Sequence, residues 1–293
     1  MNDLIKKNWK SKKRCAKFGN MKRRIFYSLT ILLLSVFLLT SCMTTTTAGG
    51  DVGADRKQMM LYSEAEMNQS ANEAYAEVIA EAKKAGILNK DQATLNRVRK
   101  IADKLIAQTP VFREDALNWD WQVNVITEDT INAWCMPGGK IVVYTGIIDS
   151  LKLTDGELAA VMGHEISHAL KEHSRERASQ EAVQSLGIAT AAAIFGLDQT
   201  KANILGIAAQ FTFGLPFSRS HETEADRMGT ELMARAGYDP YEAVNIWKKM
   251  DAVSGSSVPE LLSTHPSNKN RIADLQVIAE KVYPLYQEAS KKK

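Results

Sequence analysis

The stretch His164-Glu165-Ile166-Ser167-His168 decides how this sequence is interpreted. Side chains four residues apart lie on one face of a helix, one turn from each other, so a helix here presents both imidazoles to a single metal ion. The glutamate between them can then reach a water molecule that the metal holds. The pattern predicts a zinc site with Glu165 as its general base. The alternative is a surface helix that carries two histidines by coincidence.

The surrounding residues favour a helix. Thr154 and Glu157 are spaced as a capping box, with Thr154 as the N-cap and Glu157 reaching back to it. Apolar residues then recur at helical spacing over 158–170. His173 follows His168 by five residues and is off the line of the pair, so we interpret it as a polar residue at the helix end rather than as a ligand.

The first 41 residues differ in composition from the rest of the chain. Residues 1–24 carry ten of the 37 Lys and Arg and one Asp, so the total charge of +3 leaves an acidic body, which does not favour a nucleic-acid partner. The basic residues and the apolar run over 25–39 are typical of a secretory signal. Leu39-Thr40-Ser41-Cys42 resembles a bacterial lipobox and predicts that Cys42 is lipidated; an uncleaved signal anchor is the alternative.

These features predict three parts of the chain. Residues 1–41 are expected to be a lipoprotein signal peptide, residues 42–57 a flexible tether of small residues, and residues 58–293 one domain. A lipidated Cys42 leaves Cys135 without a disulfide partner. We interpret Cys135 as a small apolar strand residue rather than as a catalytic thiol.

The hydrophobic period changes ahead of the predicted metal-binding helix. Residues 119–125 alternate in the manner of a half-buried strand, and residues 131–136 and 140–145 are extended pieces joined by a Pro-Gly-Gly turn. The predicted fold class is α+β, mainly helical, with a small β-sheet beside the metal-binding helix. An edge strand of such a sheet can pair with an extended peptide.

Residues 182–217 form an unusually apolar region. Asp198 and Lys201 are its only charged residues, and the two apolar pieces, 182–197 and 202–217, are each marginal as a membrane span. We expect helices packed over or under the site, as in a lid. A shallow membrane-dipping hairpin is the alternative.

A catalytic zinc site needs a third protein ligand and one position open to water. Glu222 and Asp226 are one turn apart at the start of an amphipathic helix and share a face. Glu222 can therefore bind the metal while Asp226 accepts a hydrogen bond from a ligating histidine. Glu224 points away from both, toward Arg227 or solvent, and is expected to be dispensable for the metal. A solvated acidic helix start is the alternative.

The combined motifs resemble the gluzincin metallopeptidases. The resemblance extends over roughly residues 60–285 and is to the family of the HtpX heat-shock protease and the CAAX prenyl protease 1. With a lipobox, the chain looks most like the periplasmic lipoprotein members of the LoiP type. The stretches that carry the resemblance are Asn132-Ala133, Met136-Pro137-Gly138-Gly139-Lys140-Ile141, His164-Glu165-Ile166-Ser167-His168, Ser218-Arg219, Glu222-Thr223-Glu224-Ala225-Asp226-Arg227 and Thr264-His265-Pro266-Ser267 with Arg271-Ile272.

The resemblance implies a zincin fold and one Zn²⁺ per chain. It implies zinc ligands at His164, His168 and Glu222, Glu165 as the base, and His265 and Arg271 near the metal. It also implies a substrate-binding role for Asn132, Ala133, Gly138 and Gly139. In related periplasmic proteins a histidine at the position of His265 can occupy the open zinc position and hold the enzyme inactive. From the residues alone, His265 could equally stabilise an oxyanion or lie on the surface.

The expected function is that of a membrane-anchored zinc metalloendopeptidase. The resemblance implies that its substrates are unfolded or misassembled envelope proteins, and the lipid on Cys42 is expected to hold it at the periplasmic face of the outer membrane. No nucleic-acid partner is expected. The alternative is a zinc-stabilised lipoprotein that acts by binding, in the manner of a chaperone, with proteolysis latent; the intact Glu165 argues against it.

Overall fold

Helices and short strands alternate along the chain. The computed structural model describes residues 43–195, 217–253, 260–265 and 270–291. Residues 1–44 form a unit of their own, of which the described part is strand β1, and the account below concerns residues 45 onward. In order, the elements are β1 (Met43–Thr44), β2 (Gln58–Met59), α1 (Glu64–Lys84), α2 (Gln92–Ile106), short 3₁₀ turns at Thr109–Val111 and Glu114–Asn118, β3 (Gln122–Ile126), β4 (Ala133–Met136), β5 (Lys140–Tyr144), α3 (Thr145–Ser150), α4 (Asp155–Leu170), α5 (His173–Phe195), α6 (Arg219–Arg235), α7 (Glu242–Val253), α8 (Glu260–Thr264) and α9 (Arg271–Lys291).

Helix α4, which carries the two histidines of the opening motif, is the central element. The predicted capping box is confirmed: the Glu157 N–H donates to Thr154 Oγ1 over 3.1 Å, and the Thr154 N–H donates to Glu157 Oε2 over 2.9 Å. Every residue from 157 to 170 is buried, because α2, α5, α6, α7 and β4 all pack against this helix. The motif therefore lies inside the protein, and the surface-helix alternative is wrong.

The small sheet has the strand order β3-β5-β4. β3 is parallel to β5, and β4 is antiparallel to β5 with Ala133 opposite Val143. Gly138 and Gly139 close the β4–β5 turn at φ values of 76° and 85°, where a side chain would be strained. Since β4 also packs against α4, the predicted class is confirmed: mainly helical α+β with a small sheet beside the motif helix.

Two glycines allow α4 and α6 to approach each other closely. A Cβ atom on Gly229 would lie 2.7 Å from the backbone nitrogen of His164, and one on Gly163 would lie 2.9 Å from the Gly229 carbonyl oxygen. The two helices therefore touch through their backbones at the level of His164. This contact brings the acidic first turns of α6 against the imidazoles of α4.

Residues 45–57, here called the strap, are packed against the rest of the protein and differ in this from the flexible tether that was expected. Val52 and Ala54 are buried in the main hydrophobic core. Lys171, which follows the last residue of α4, is fully buried, and its Nζ donates to Thr47 Oγ1 over 3.1 Å and to the carbonyl oxygens of Ala54 and Arg56 over 2.9 Å each. A buried ammonium group needs such acceptors, and the small residues of the strap let its backbone approach them.

Three further helices, α1, α2 and α9, lie nearer the two ends of the chain. Gly86, at a φ of 69°, lies between α1 and α2, and an isolated bridge between Leu88 and Ile126 follows it. α9 runs to Lys291 and includes Pro284. Within the described ranges, no helix is both long and apolar enough to cross a membrane. The lid or hairpin expected over 182–217 lies largely outside them, since residues 196–216 are not described.

Candidate metal centre

All five histidines of the chain are buried in one region of the protein. Two come from α4, one from the start of α5, one from α6 and one from the residue after α8: His164, His168, His173, His221 and His265. Neighbouring rings lie close together; the centroids of His168 and His173 are 4.8 Å apart and those of His173 and His221 are 4.5 Å apart. Five buried imidazoles form a polar centre that an apolar core does not contain by chance.

Four side chains of this region converge on one point. The Nε2 atom of His164 lies 3.1 Å from His168 Nε2, 3.2 Å from His265 Nδ1 and 3.4 Å from Glu222 Oε2. Glu222 Oε1 lies 3.0 Å from His265 Nδ1 and 3.5 Å from His168 Nε2. The structure therefore brings the three predicted ligands together and adds His265, which is 4% exposed and not the surface residue that one alternative expected.

These side chains fit a zinc ion. Ligands placed tetrahedrally at zinc distances of 2.0–2.1 Å are about 3.3 Å apart, which matches the separations of the four groups. Glu222 Oε2 and Glu165 Oε1 are buried, and neither takes part in a hydrogen bond with the described residues. Buried carboxylate oxygens without a donor are costly unless a cation or a water molecule satisfies them. The donor set of imidazole and carboxylate is also the one that zinc prefers.

The electrostatics of the site favour a positive charge at its centre. Burial opposes protonation of His164, but Asp226 and Glu222 outweigh it and raise the His164 pKa to about 9. Burial likewise raises the pKa of the Glu222 carboxyl, yet His164 and His265 hold that pKa well below its usual range. Burial and the neighbouring imidazoles lower the pKa of His168 well below 6.5, so its nitrogens stay free to bind a metal.

Asp226 and Arg271 support His164 on the side away from the four-donor cluster. The Oδ1 atom of Asp226 lies 2.9 Å from His164 Nδ1 and accepts a hydrogen bond from Arg271 Nη2 over 2.7 Å. The Arg271 guanidinium is 1% exposed, lies 3.2 Å from the centre of the Trp247 ring and places Nη1 3.2 Å from Glu222 Oε2. Asp226 therefore has the position predicted for it, and Arg271 holds both carboxylates of the α6 turn.

Glu224 does not face solvent or Arg227, as the sequence suggested. It is 9% exposed, and its Oε2 lies 3.2 Å from His173 Nε2, while His173 Nδ1 lies 2.9 Å from His168 Nδ1. Burial lowers the pKa of His173 to about 4. Burial raises the Glu224 pKa, but hydrogen bonds from His173 and Arg56 outweigh it and lower that pKa to about 2. His173 is thus outside the four-donor cluster, as expected, yet it supports a member of it.

Strand β4 packs against α4 and runs beside Glu165 of the motif. The Cys135 thiol interacts electrostatically with Glu165, and burial together with that carboxylate raises the Cys135 pKa well above its usual value. A thiol held in its neutral form is a poor nucleophile. Asn132 and Ala133 at the start of β4 are buried, and Asn132 Oδ1 accepts from the Ala133 N–H.

The predicted glycine pair lies at the other end of β4. A Cβ atom on Gly138 would meet Asn68 of α1, and one on Gly139 would meet the Trp121 ring. Their observed neighbours therefore belong to α1 and to the chain ahead of β3, and not to the four-donor cluster. The substrate-binding role that the resemblance implies for these glycines stays a prediction.

Comparison with known proteins identifies what the chain is similar to. The family model described as peptidase family M48 matches residues 92–279, which is more than half of the chain. The mitochondrial metalloendopeptidase OMA1 of Schizosaccharomyces pombe is 36% identical over 208 residues, 70% of this chain and 59% of that protein. The metalloprotease YcaL of Escherichia coli is 25% identical over 248 residues, 83% of this chain and 93% of that protein. The beta-barrel assembly-enhancing protease of Escherichia coli is 30% identical over 180 residues, 57% and 36% of the two chains.

The extent of these matches differs between the relatives. The chain spans 59% of the Schizosaccharomyces pombe OMA1 and 30% of the Arabidopsis thaliana OMA1, but 93% of YcaL. The matched region of the family model contains all four donors and Glu165, whereas the strap lies ahead of it.

Proposed function

Because the chain belongs to peptidase family M48, we propose that it is a zinc metalloendopeptidase that hydrolyses peptide bonds in unfolded or misassembled proteins of the cell envelope. One observation carries the proposal: His164, His168, Glu222 and His265 converge within 4.8 Å of one another, with Glu165 beside them. A buried cluster with this donor set and an adjacent carboxylate has the parts that metal-assisted hydrolysis needs.

The residues around the metal centre have separate roles in the proposed hydrolysis. His164, His168 and Glu222 would hold the zinc, which when bound polarises the scissile carbonyl and acidifies the attacking water. Glu165 takes a proton from that water at Oε1, which has no hydrogen bond within the described residues, and passes it to the leaving amine nitrogen. Burial raises the pKa of Glu165, which makes its carboxylate a stronger base than one exposed to solvent.

The substrate is proposed to enter as an extended strand. Among the described residues β4 is an edge of the sheet, and it runs beside Glu165, so a peptide paired with it would lie next to the base. An unfolded protein offers the unpaired backbone that pairing with β4 needs.

Cleavage of an unfolded protein tests the proposed reaction. Casein should be digested by the purified chain, digestion should stop when a chelator removes the metal, and stoichiometric zinc should restore it. A binding protein with latent proteolysis would instead retain casein without cleaving it at any zinc level. That outcome would favour the alternative of a zinc-stabilised lipoprotein that acts by binding.

His265 is proposed to control access to the metal. A catalytic zinc has three protein ligands and an open position, whereas here four protein donors converge. We expect His265→Ala to bind zinc and to cleave casein faster than the unaltered chain. The increase should be about tenfold or more if most of the unaltered chain has His265 bound to zinc as a fourth ligand. The measurement is kcat/KM at equal zinc content. Slower cleavage with zinc retained would mean that His265 assists the reaction, as an oxyanion-stabilising group would.

The proposed location is the periplasmic face of the outer membrane, as for LoiP-type members of the family. The lipobox-like stretch ending at Cys42 supports it. A single acyl chain binds membranes only marginally, whereas the several chains of a bacterial lipoprotein anchor it stably.

Fractionation tests the anchor. With the leader replaced by a cleavable signal of a soluble protein and Cys42 changed to alanine, we expect the chain to leave the membrane fraction and keep its casein-cleaving activity. The unaltered chain, labelled with a radioactive fatty acid, is the control. Complete retention of the altered chain in the membrane fraction would contradict a lipid at Cys42 as the only stable anchor.

A further inference from the structure

We infer that Arg56, in the strap, is a positioning residue for the zinc ligand His168 and acts on it through Glu224 and His173. The inference rests on the zinc site proposed above and extends it to a residue that lies ahead of the region matched by the family model. Three links carry it, and each is a contact between named atoms.

The first link fixes the orientation of His168. When the Nε2 atom of His168 binds a metal, its Nδ1 carries the proton and must donate it. The acceptor is His173 Nδ1 at 2.9 Å, so the proton of the neutral His173 ring is on Nε2, which faces Glu224 Oε2 at 3.2 Å. While His168 Nε2 binds the metal, a hydrogen bond between the two rings requires the proton of His168 on Nδ1 and the proton of His173 on Nε2.

The second link holds Glu224 in place. Its carboxylate receives two parallel hydrogen bonds from Arg56, from Nε to Oε1 over 2.9 Å and from Nη2 to Oε2 over 2.8 Å. This is the two-pronged geometry in which a guanidinium fixes the plane of a carboxylate as well as its charge. Without Arg56, the Glu224 carboxylate, which is 9% exposed, would keep His173 as its one hydrogen-bonding side chain among the described residues.

The third link holds Arg56 itself. Glu176 of α5 accepts from Nη1 and Nη2 over 2.7 Å each, and the backbone carbonyl of Arg56 accepts from the buried Lys171 Nζ over 2.9 Å. The side chain of Arg56 is therefore held by Glu176 of α5, and its backbone is held by Lys171, which follows α4. Each ligand histidine of α4 is thus connected to a guanidinium through a series of contacts. For His164 the series runs through Asp226 to Arg271, and for His168 it runs through His173 and Glu224 to Arg56.

A double-mutant cycle on zinc affinity tests the inference. Zinc-free protein is titrated against a competing chelating dye for the unaltered chain, Arg56→Ala, His173→Ala and the double variant. We expect His173→Ala to weaken zinc binding by about tenfold or more and Arg56→Ala by about fivefold. In the double variant, Arg56→Ala should add less than about twofold, because its path to the metal is already cut.

A matched control separates this effect from a general loosening of the strap. Arg235→Ala removes another ion pair to the strap, that of Arg235 Nη2 with Asp51 Oδ2 at 3.0 Å, and has no contact with His173. It should leave zinc affinity unchanged while lowering the thermal unfolding temperature of the zinc-free protein. If His173→Ala does not fold, Glu224→Gln takes its place in the cycle.

The outcomes are distinct. If the unaltered chain binds no zinc, the proposed function fails. If it binds zinc and Arg56→Ala binds it equally well, only the role of Arg56 is contradicted. Equal losses from Arg56→Ala with and without His173, or an equal loss in Arg235→Ala, would show that the strap acts on stability alone.

Discussion

Glu165→Gln is expected to lower kcat on an unfolded protein by about 10² to 10⁴-fold while zinc stays bound. The amide keeps the size of the side chain but cannot accept the proton that Glu165 Oε1 is placed to take. Glu165 Oε1 lies 3.7 Å from His265 Nε2 and has no hydrogen bond within the described residues, so the substitution removes an ion-pair contact but no hydrogen bond at that oxygen. The measurement is casein cleavage at equal, independently determined zinc content.

Glu157→Gln is the matched control for this prediction. Glu157 is a buried carboxylate on the same helix, 2% exposed, but it binds the helix N-terminus and the Lys249 ammonium instead of facing the metal centre. We expect that variant to unfold at a lower temperature and to keep its turnover. Turnover like that of the unaltered chain in Glu165→Gln would overturn the mechanism.

Glu222→Ala is expected to lose zinc and with it all activity. Loss of an outer partner of a metal site costs 10- to 100-fold in affinity, so the loss of a ligand should exceed about 100-fold. Arg271 Nη1 also loses its anionic partner at 3.2 Å, so the buried guanidinium keeps Asp226 but loses one of its two carboxylates. Competitive titration against a chelating dye measures the effect, with circular dichroism to establish that the zinc-free variant is folded.

The neighbouring acids of α6 are the controls for Glu222. Asp226→Ala should weaken zinc binding by about tenfold or more, because His164 Nδ1 loses its acceptor at 2.9 Å. Glu224→Ala should weaken it less, because Glu224 acts on His168 through the intervening His173. A zinc-free Glu224→Ala together with normal zinc in Glu222→Ala would reverse the ligand assignment.

Local patterns predicted the elements that build the site. The capping box of Thr154 and Glu157, the helical spacing after it and the alternation of the strands each depend on residues close in sequence, and the structure has all three. The one-turn spacing of Glu222 and Asp226 likewise predicted that they share a face. Such arguments succeed because helix and strand geometry fix the relation between neighbours.

The long-range partners could not be predicted in the same way. Glu224 was expected to face solvent because no residue one turn away pairs with it; its partners Arg56 and His173 are 168 and 51 positions distant. His173 was placed by extending α4 beyond its end, whereas the helix stops at Leu170 and Glu172 takes a φ of 53°. A weak signal was present, since three of the chain's five histidines fall within ten residues.

The packed strap has a practical consequence for anyone who produces this protein in soluble form. A recombinant chain started at residue 58, where the composition suggests that the domain begins, would contain every residue that the family model matches. It would nevertheless lack the three acceptors of Lys171. It would also lack the N–H groups of Asp51 and Val52, which donate to the Glu231 carboxylate over 2.9 and 3.1 Å. Expression should therefore start no later than residue 43, because the shorter product would expose buried charge and apolar surface and tend to aggregate.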